Sequence, residues 1–133
     1  MSTSKVIYLG NLRTQSTHLA SGNSYLTDAP IDNQGKGEAF SPTDTVATGL
    51  ANCMLTVMGI KAASLNVNME GTEAEVTKVM ANDPRRISEI KVILSFPKGI
   101  SEKNQKILEN TGLTCPVAKS LHPDIIQNIQ FQW

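Results

Sequence analysis

The chain has no surplus of charge of either sign: twelve Lys and Arg balance twelve Asp and Glu. A nucleic-acid partner is therefore not expected, because phosphate-binding surfaces carry a basic excess, and neither is a polybasic membrane contact. Cysteine is rare. Two residues, Cys53 and Cys115, stand 62 positions apart, which excludes the dense disulfide framework of a small secreted scaffold. No long hydrophobic run occurs: Val46 to Ile60 is interrupted by Thr48, Asn52 and Thr56 and ends at Lys61, reading as too short and too polar for a bilayer span. The start, Met-Ser-Thr-Ser-Lys, lacks the apolar core of a secretory signal, so the expected address is the cytosol. Nine Gly and six Pro exclude collagen-like and low-complexity classes. What is there is 133 residues, 40% apolar and 18% charged, enough for one core and one domain over 1–133.

Hydrophobic spacing gives a coarse order of elements. Val6, Tyr8 and Leu9 open a strand running towards Leu12, and a second short strand is expected around residues 24–27. Asp28 to Gly37 is dense in turn formers and reads as a loop. Ser41-Pro42-Thr43-Asp44 is a helix start, with proline in the first turn and a carboxylate at the positive end of the dipole. From there to Ser64, Val46, Leu50, Cys53, Met54, Val57, Ile60 and Lys61 recur at steps of three and four. Leu55 and Met58 lie off that face, so the helix reads as buried nearly all round, by a sheet, a second subunit or both.

After Gly71 the period becomes two. Residues 72–80 read as a strand with one exposed face, Asn82-Asp83-Pro84 as a turn, and Ile90, Val92, Leu94 and Phe96 as the buried side of the next strand. Ser101 opens a second helix towards Gly112, which suits a C-terminal cap. A third, short helix starts at Thr114-Cys115-Pro116 with Thr114 as its cap, and His122-Pro123 ends it. Ile125 to Trp133 alternates as a last strand. The order β-β-α-β-β-α-α-β places the chain in the α+β class.

The two thiols are unequal. Cys115, in the first turn of a helix, has unpaired N–H groups nearby that favour a thiolate. Cys53, at mid-helix, needs a cation supplied by tertiary structure, without which a buried thiol is inert. Two inert core thiols and a redox pair are both open on this evidence. No two of Cys53, Cys115, His18 and His122 have the short spacing of a zinc site, so no metal is expected. His122 reads as a helix cap and His18 as a surface turn residue. There is no G-x-S-x-G elbow. Gly35-Lys36-Gly37 is followed by Glu38 rather than by the Ser or Thr of a phosphate loop. Arg85-Arg86 reads as solvated turn residues.

Four segments taken together, Ser41-Pro42-Thr43-Asp44, Thr48-Gly49-Leu50-Ala51-Asn52-Cys53-Met54, Asp83-Pro84-Arg85-Arg86-Ile87 and Thr114-Cys115-Pro116-Val117, resemble the OsmC/Ohr family of osmotically induced and organic hydroperoxide resistance proteins. The resemblance implies an OsmC-like fold, with antiparallel sheets around a long central apolar helix in an intertwined homodimer. It implies a thiol peroxidase that reduces organic hydroperoxides, with Cys53 peroxidatic, Cys115 resolving through an intramolecular disulfide, and Arg13 as the cation beside the thiolate. The partners implied are an organic hydroperoxide and an external dithiol reductant, with no bound cofactor. In one branch of the family a glutamate follows the proline of the helix start and holds the arginine; here that residue is Thr43, followed by Asp44. The rival readings are a dimeric carrier or sensor of small apolar ligands, and acyl transfer on the same cysteine.

Overall fold

In the computed structural model, which describes residues 1–133, three strands come first: β1 (Ser4–Gly10), β2 (Arg13–His18) and β3 (Ser24–Asp28), antiparallel and in that order. Asn11 and Leu12 join β1 to β2 at φ 55° and 63°, the type I′ geometry whose twist matches the strands it connects. β2 is the strand that hydrophobic spacing missed. Arg13-Thr14-Gln15-Ser16-Thr17-His18 has no apolar alternation, and its order comes from pairing on both edges, Ser16 lying opposite both Val6 and Tyr25. The Thr14 and Thr27 hydroxyls add a cross-strand hydrogen bond. His18 lies exposed at the end of β2, its Nδ1 2.7 Å from Ser21 Oγ.

The expected loop follows, with a short 3-10 turn at Ile31–Asn33. Backbone bonds close it: Asp28 N–H donates to Phe40 O at 2.9 Å and Gly37 N–H to Ala29 O at 3.1 Å. Gly35 has to be glycine, since a Cβ there would sit 1.7 Å from the Ala29 carbonyl oxygen. Asp28 is buried, and its carboxylate accepts the Glu38 N–H at 3.0 Å. Residues 1–46 form one compact unit and residues 47–133 another.

Helix α1 (Pro42–Ser64) begins in the first unit and runs into the second. Its start is the expected one. Asp44 N–H donates to Ser41 Oγ at 3.1 Å while Ser41 N–H donates to Asp44 Oδ2 at 2.9 Å, so two orphan donors are satisfied reciprocally. The buried face differs from the expected one. It consists of Ala47, Leu50, Ala51, Met54, Met58 and Ala62, whereas Val46 is 42% and Ile60 70% exposed. Spacing of large apolar residues passed over the alanines, which are the positions that permit close approach. At 23 residues α1 is also long and apolar enough by composition to cross a membrane, contrary to the sequence reading. Its Leu50, Met54 and Met58 are spent on the chain's own core.

The second sheet has the order β4 (Glu73–Ala81), β5 (Arg86–Ser95), β6 (Ile126–Gln132). Ile90, Val92 and Leu94 are fully buried and Phe96 nearly so, as the period of two predicts. The expectation of purely antiparallel sheets is corrected here: β6 pairs parallel to β5. Helices α2 (Glu102–Leu113) and α3 (Pro116–Ser120) form the crossover that a parallel pair requires. Both sheets and all three helices together make an α+β fold. Arg86 closes the β4–β5 turn, its Nη1 donating to Asn82 O at 3.0 Å and Pro84 O at 2.9 Å, so it is a turn brace rather than a free solvated cation.

Candidate functional site

The second unit brings Cys53 and Cys115 together. Ser101 caps α2, accepting the Asn104 N–H at 3.3 Å, and the helix then packs on α1 at Gly112. This glycine lies inside α2 and is buried, so it is not the C-terminal cap expected of it; Thr114 occupies that place. A Cβ at Gly112 would come within 2.7 Å of Met58 Sδ and 3.4 Å of Met54 Cε. The missing side chain is what lets α2 approach α1 so closely, one turn along from Cys53.

Cys115, not Thr114, is the N-cap of α3, with extended backbone (φ −66°, ψ 157°) and Pro116 following it. Its Sγ accepts the Ala118 N–H at 3.4 Å. The neighbouring amide goes to the other cysteine: Val117 N–H donates to Cys53 Sγ at 3.5 Å. Two consecutive amides of α3 thus serve one sulfur each, which places the two thiols near one another. Both are reduced, Cys115 buried and Cys53 half-buried on α1.

Burial pushes the Cys115 thiol pKa up, and contact with Cys53 pushes it the same way; the Ala118 and Val117 N–H groups pull it down without offsetting this. The sequence reading, that a helix-start position favours the Cys115 thiolate, is corrected by this burial. Cys115 keeps its proton at neutral pH. Sequence also gave Cys53 no backbone partner. The Val117 N–H reaches it from 64 positions away.

Arg13 stands in the first unit at the start of β2. Its Nη1 lies 3.6 Å from Glu38 Oε2, with the two side chains 32% and 57% exposed, while its Nε has no hydrogen-bond partner. Glu38 is the acidic partner that sequence reasoning missed; the clue available was its place after a glycine-rich loop, where it was read only as breaking a phosphate-loop pattern. His122 is not a helix cap: the cap is Leu121, and His122 Nδ1 accepts the Asp124 N–H at 3.0 Å. No group of three or more His, Cys, Asp or Glu is gathered as a metal site.

Fold and site define a two-sheet α+β protein that holds two reduced thiols together at the start of a short helix. The chain belongs to the OsmC family: residues 35–129 match the model described as OsmC-like protein, a span that includes both cysteines and Glu38 but not Arg13. It is 60% identical to a protein of Psychrobacter arcticus 273-4 provisionally described as an osmotic stress induced and detoxification response protein. That structure aligns with TM-score 0.96 over 99% of this chain and 96% of that one. The organic hydroperoxide resistance protein OsmC of Legionella pneumophila aligns with TM-score 0.77 at 13% identity, covering 100% of this chain and 98% of the other. OhrB, the organic hydroperoxide resistance protein of Bacillus subtilis, aligns with TM-score 0.72 at 18% identity, covering 98% of each. The last two likenesses concern the fold. No curated protein sequence matches the chain.

Proposed function

We infer that the protein is a thiol peroxidase acting on organic hydroperoxides. The observation that carries this reading is the closeness of two free thiols of unequal burial, each served by one of two consecutive backbone amides. Cys53, the more accessible sulfur, attacks the distal oxygen of ROOH as a thiolate. The O–O bond breaks, ROH leaves after taking up a proton, and Cys53 becomes a sulfenic acid. Cys115 then attacks that sulfur, the hydroxyl departs as water with the thiol proton, and an S–S bond forms. An external dithiol reduces the disulfide by exchange, with no bound cofactor needed. A resolving thiol that stays protonated until the sulfenic acid appears does not compete for the peroxide, which fits the upward shift at Cys115.

Arg13 is the cation assigned to the Cys53 thiolate, since a guanidinium keeps its charge at any working pH, and Glu38 is its carboxylate partner. A homodimer in the cytosol is the assembly and address that go with this reading. The dimer is supported by apolar side chains on both faces of the first sheet, Val6 and Tyr8 on one and Ile7 and Leu9 on the other, which are 50% to 65% exposed in the single chain.

The test is intact mass after brief exposure to a stoichiometric alkyl hydroperoxide. The expected result is loss of two hydrogens per chain, and a trappable sulfenic acid on Cys53 in the Cys115→Ser variant. An unchanged mass would instead favour a carrier of apolar ligands. An acyl adduct formed from an activated ester, with peroxide untouched, would favour acyl transfer.

A further inference from the structure

The same two sulfurs have the make-up of a metal site of a particular kind. They are held by two consecutive amides of α3, they are free, and no group of three or more His, Cys, Asp or Glu gathers around them or elsewhere. The donor set is therefore two soft sulfurs. Zn(II) takes four ligands in a tetrahedron, which this place does not supply. Thiolates select Cu(I) among the soft ions, and a filled d shell leaves Cu(I) content with two ligands in line.

We propose that the Cys53–Cys115 pair binds one Cu(I) ion as a two-coordinate bis-thiolate. Binding forms two Cu–S bonds and releases the two thiol protons; neither copper nor sulfur changes oxidation state, and the complex carries one negative charge. The Val117 and Ala118 N–H groups, which already donate to the two sulfurs at 3.5 and 3.4 Å, are the outer partners that stabilise that charge. Half-buried Cys53 gives the ion its way in, and buried Cys115 shields it from water. Copper binding also withdraws both thiols from disulfide formation, so the ion is an inhibitor of any redox cycle that uses them. The site rests on the thiol geometry alone and not on the peroxidase reading.

The experiment titrates the reduced full chain anaerobically with Cu(I) held by bathocuproine disulfonate, following transfer by absorbance, with X-ray absorption on the loaded protein. The expected result is one Cu(I) per chain with sulfur as the only scatterer. Cys53→Ser and Cys115→Ser should each weaken binding by more than the roughly 100-fold that loss of an outer-shell partner can cause. As a measurement that needs no variant, Cu(I) should protect both wild-type cysteines from iodoacetamide while Zn(II) does not. One Cu(I) retained at equal affinity by either single variant, nitrogen scatterers, or equal protection by Zn(II) would overturn the site. Failure here leaves the peroxide mass assay untouched, so the two readings fall separately.

Discussion

Cys115 shows how one residue's setting fixes its chemistry. Its pKa is raised in the folded state by burial first and by Cys53 second. The folded protein therefore holds this proton more tightly than the unfolded chain, and stability contributed by the neutral thiol is complete below the unfolded value of about 8.5. As pH rises from there through the higher folded value, that contribution is lost. Urea midpoints of the reduced protein at pH 7 and pH 10 should show an alkaline loss that Cys115→Ser diminishes; an unchanged loss in the variant would remove Cys115 as its source. Alkylation at pH 8 should modify Cys53 before Cys115. Arg13 belongs to this scale too. Arg13→Ala should lower peroxide consumption by about 100-fold or more, the size expected when a fixed charge at a reacting centre is lost, with the circular dichroism spectrum kept. An unaltered rate would take Arg13 out of the mechanism. Its Glu38 bond, between partly exposed groups, is worth little to stability, so Arg13→Ala should leave the melting temperature nearly unchanged.

Among the elements, α1 is held at its start by Ser41 and along its length by Gly112 of α2. Ser41→Ala removes the side-chain half of the reciprocal cap at a buried position and should cost about 1 kcal/mol in a denaturant melt. Gly112→Val puts atoms where Met58 Sδ already stands. The overpacking should cost about 1–3 kcal/mol, and by parting α2 from α1 it should slow closure of the Cys53–Cys115 disulfide. Equal closure rates in variant and wild type would show that this helix contact does not set the thiol geometry. The helix starts at Ser41 and Ser101 and the strand at β5 were legible because first-turn residues and alternation are local signals. β2 was not, since a polar strand is specified by its two neighbours rather than by itself. The parallel register of β6 was likewise invisible: alternation says that a strand exists, and nothing in it says which way the partner runs.

At the scale of the whole molecule, the first sheet bears on association. With Val6, Ile7, Tyr8 and Leu9 half or more exposed, a lone chain would leave large apolar side chains on both faces of this sheet in water, where association would cover them. Light scattering should give twice the 14.4 kDa chain mass. The double substitution Val6→Glu, Tyr8→Glu should shift the equilibrium towards monomer; a wild-type protein monomeric at micromolar concentration would overturn the homodimer.

The amino-acid order alone determined the α+β class, the long helix and the buried side of β5, because each is written in spacing or in a residue's own backbone preference. Tertiary structure alone decided that the sulfurs meet, that Val117 serves Cys53, that burial outweighs the helix start at Cys115, and that Glu38 faces Arg13. Those facts depend on distances between residues remote along the chain and on how much water the packing leaves, and no local pattern carries either quantity.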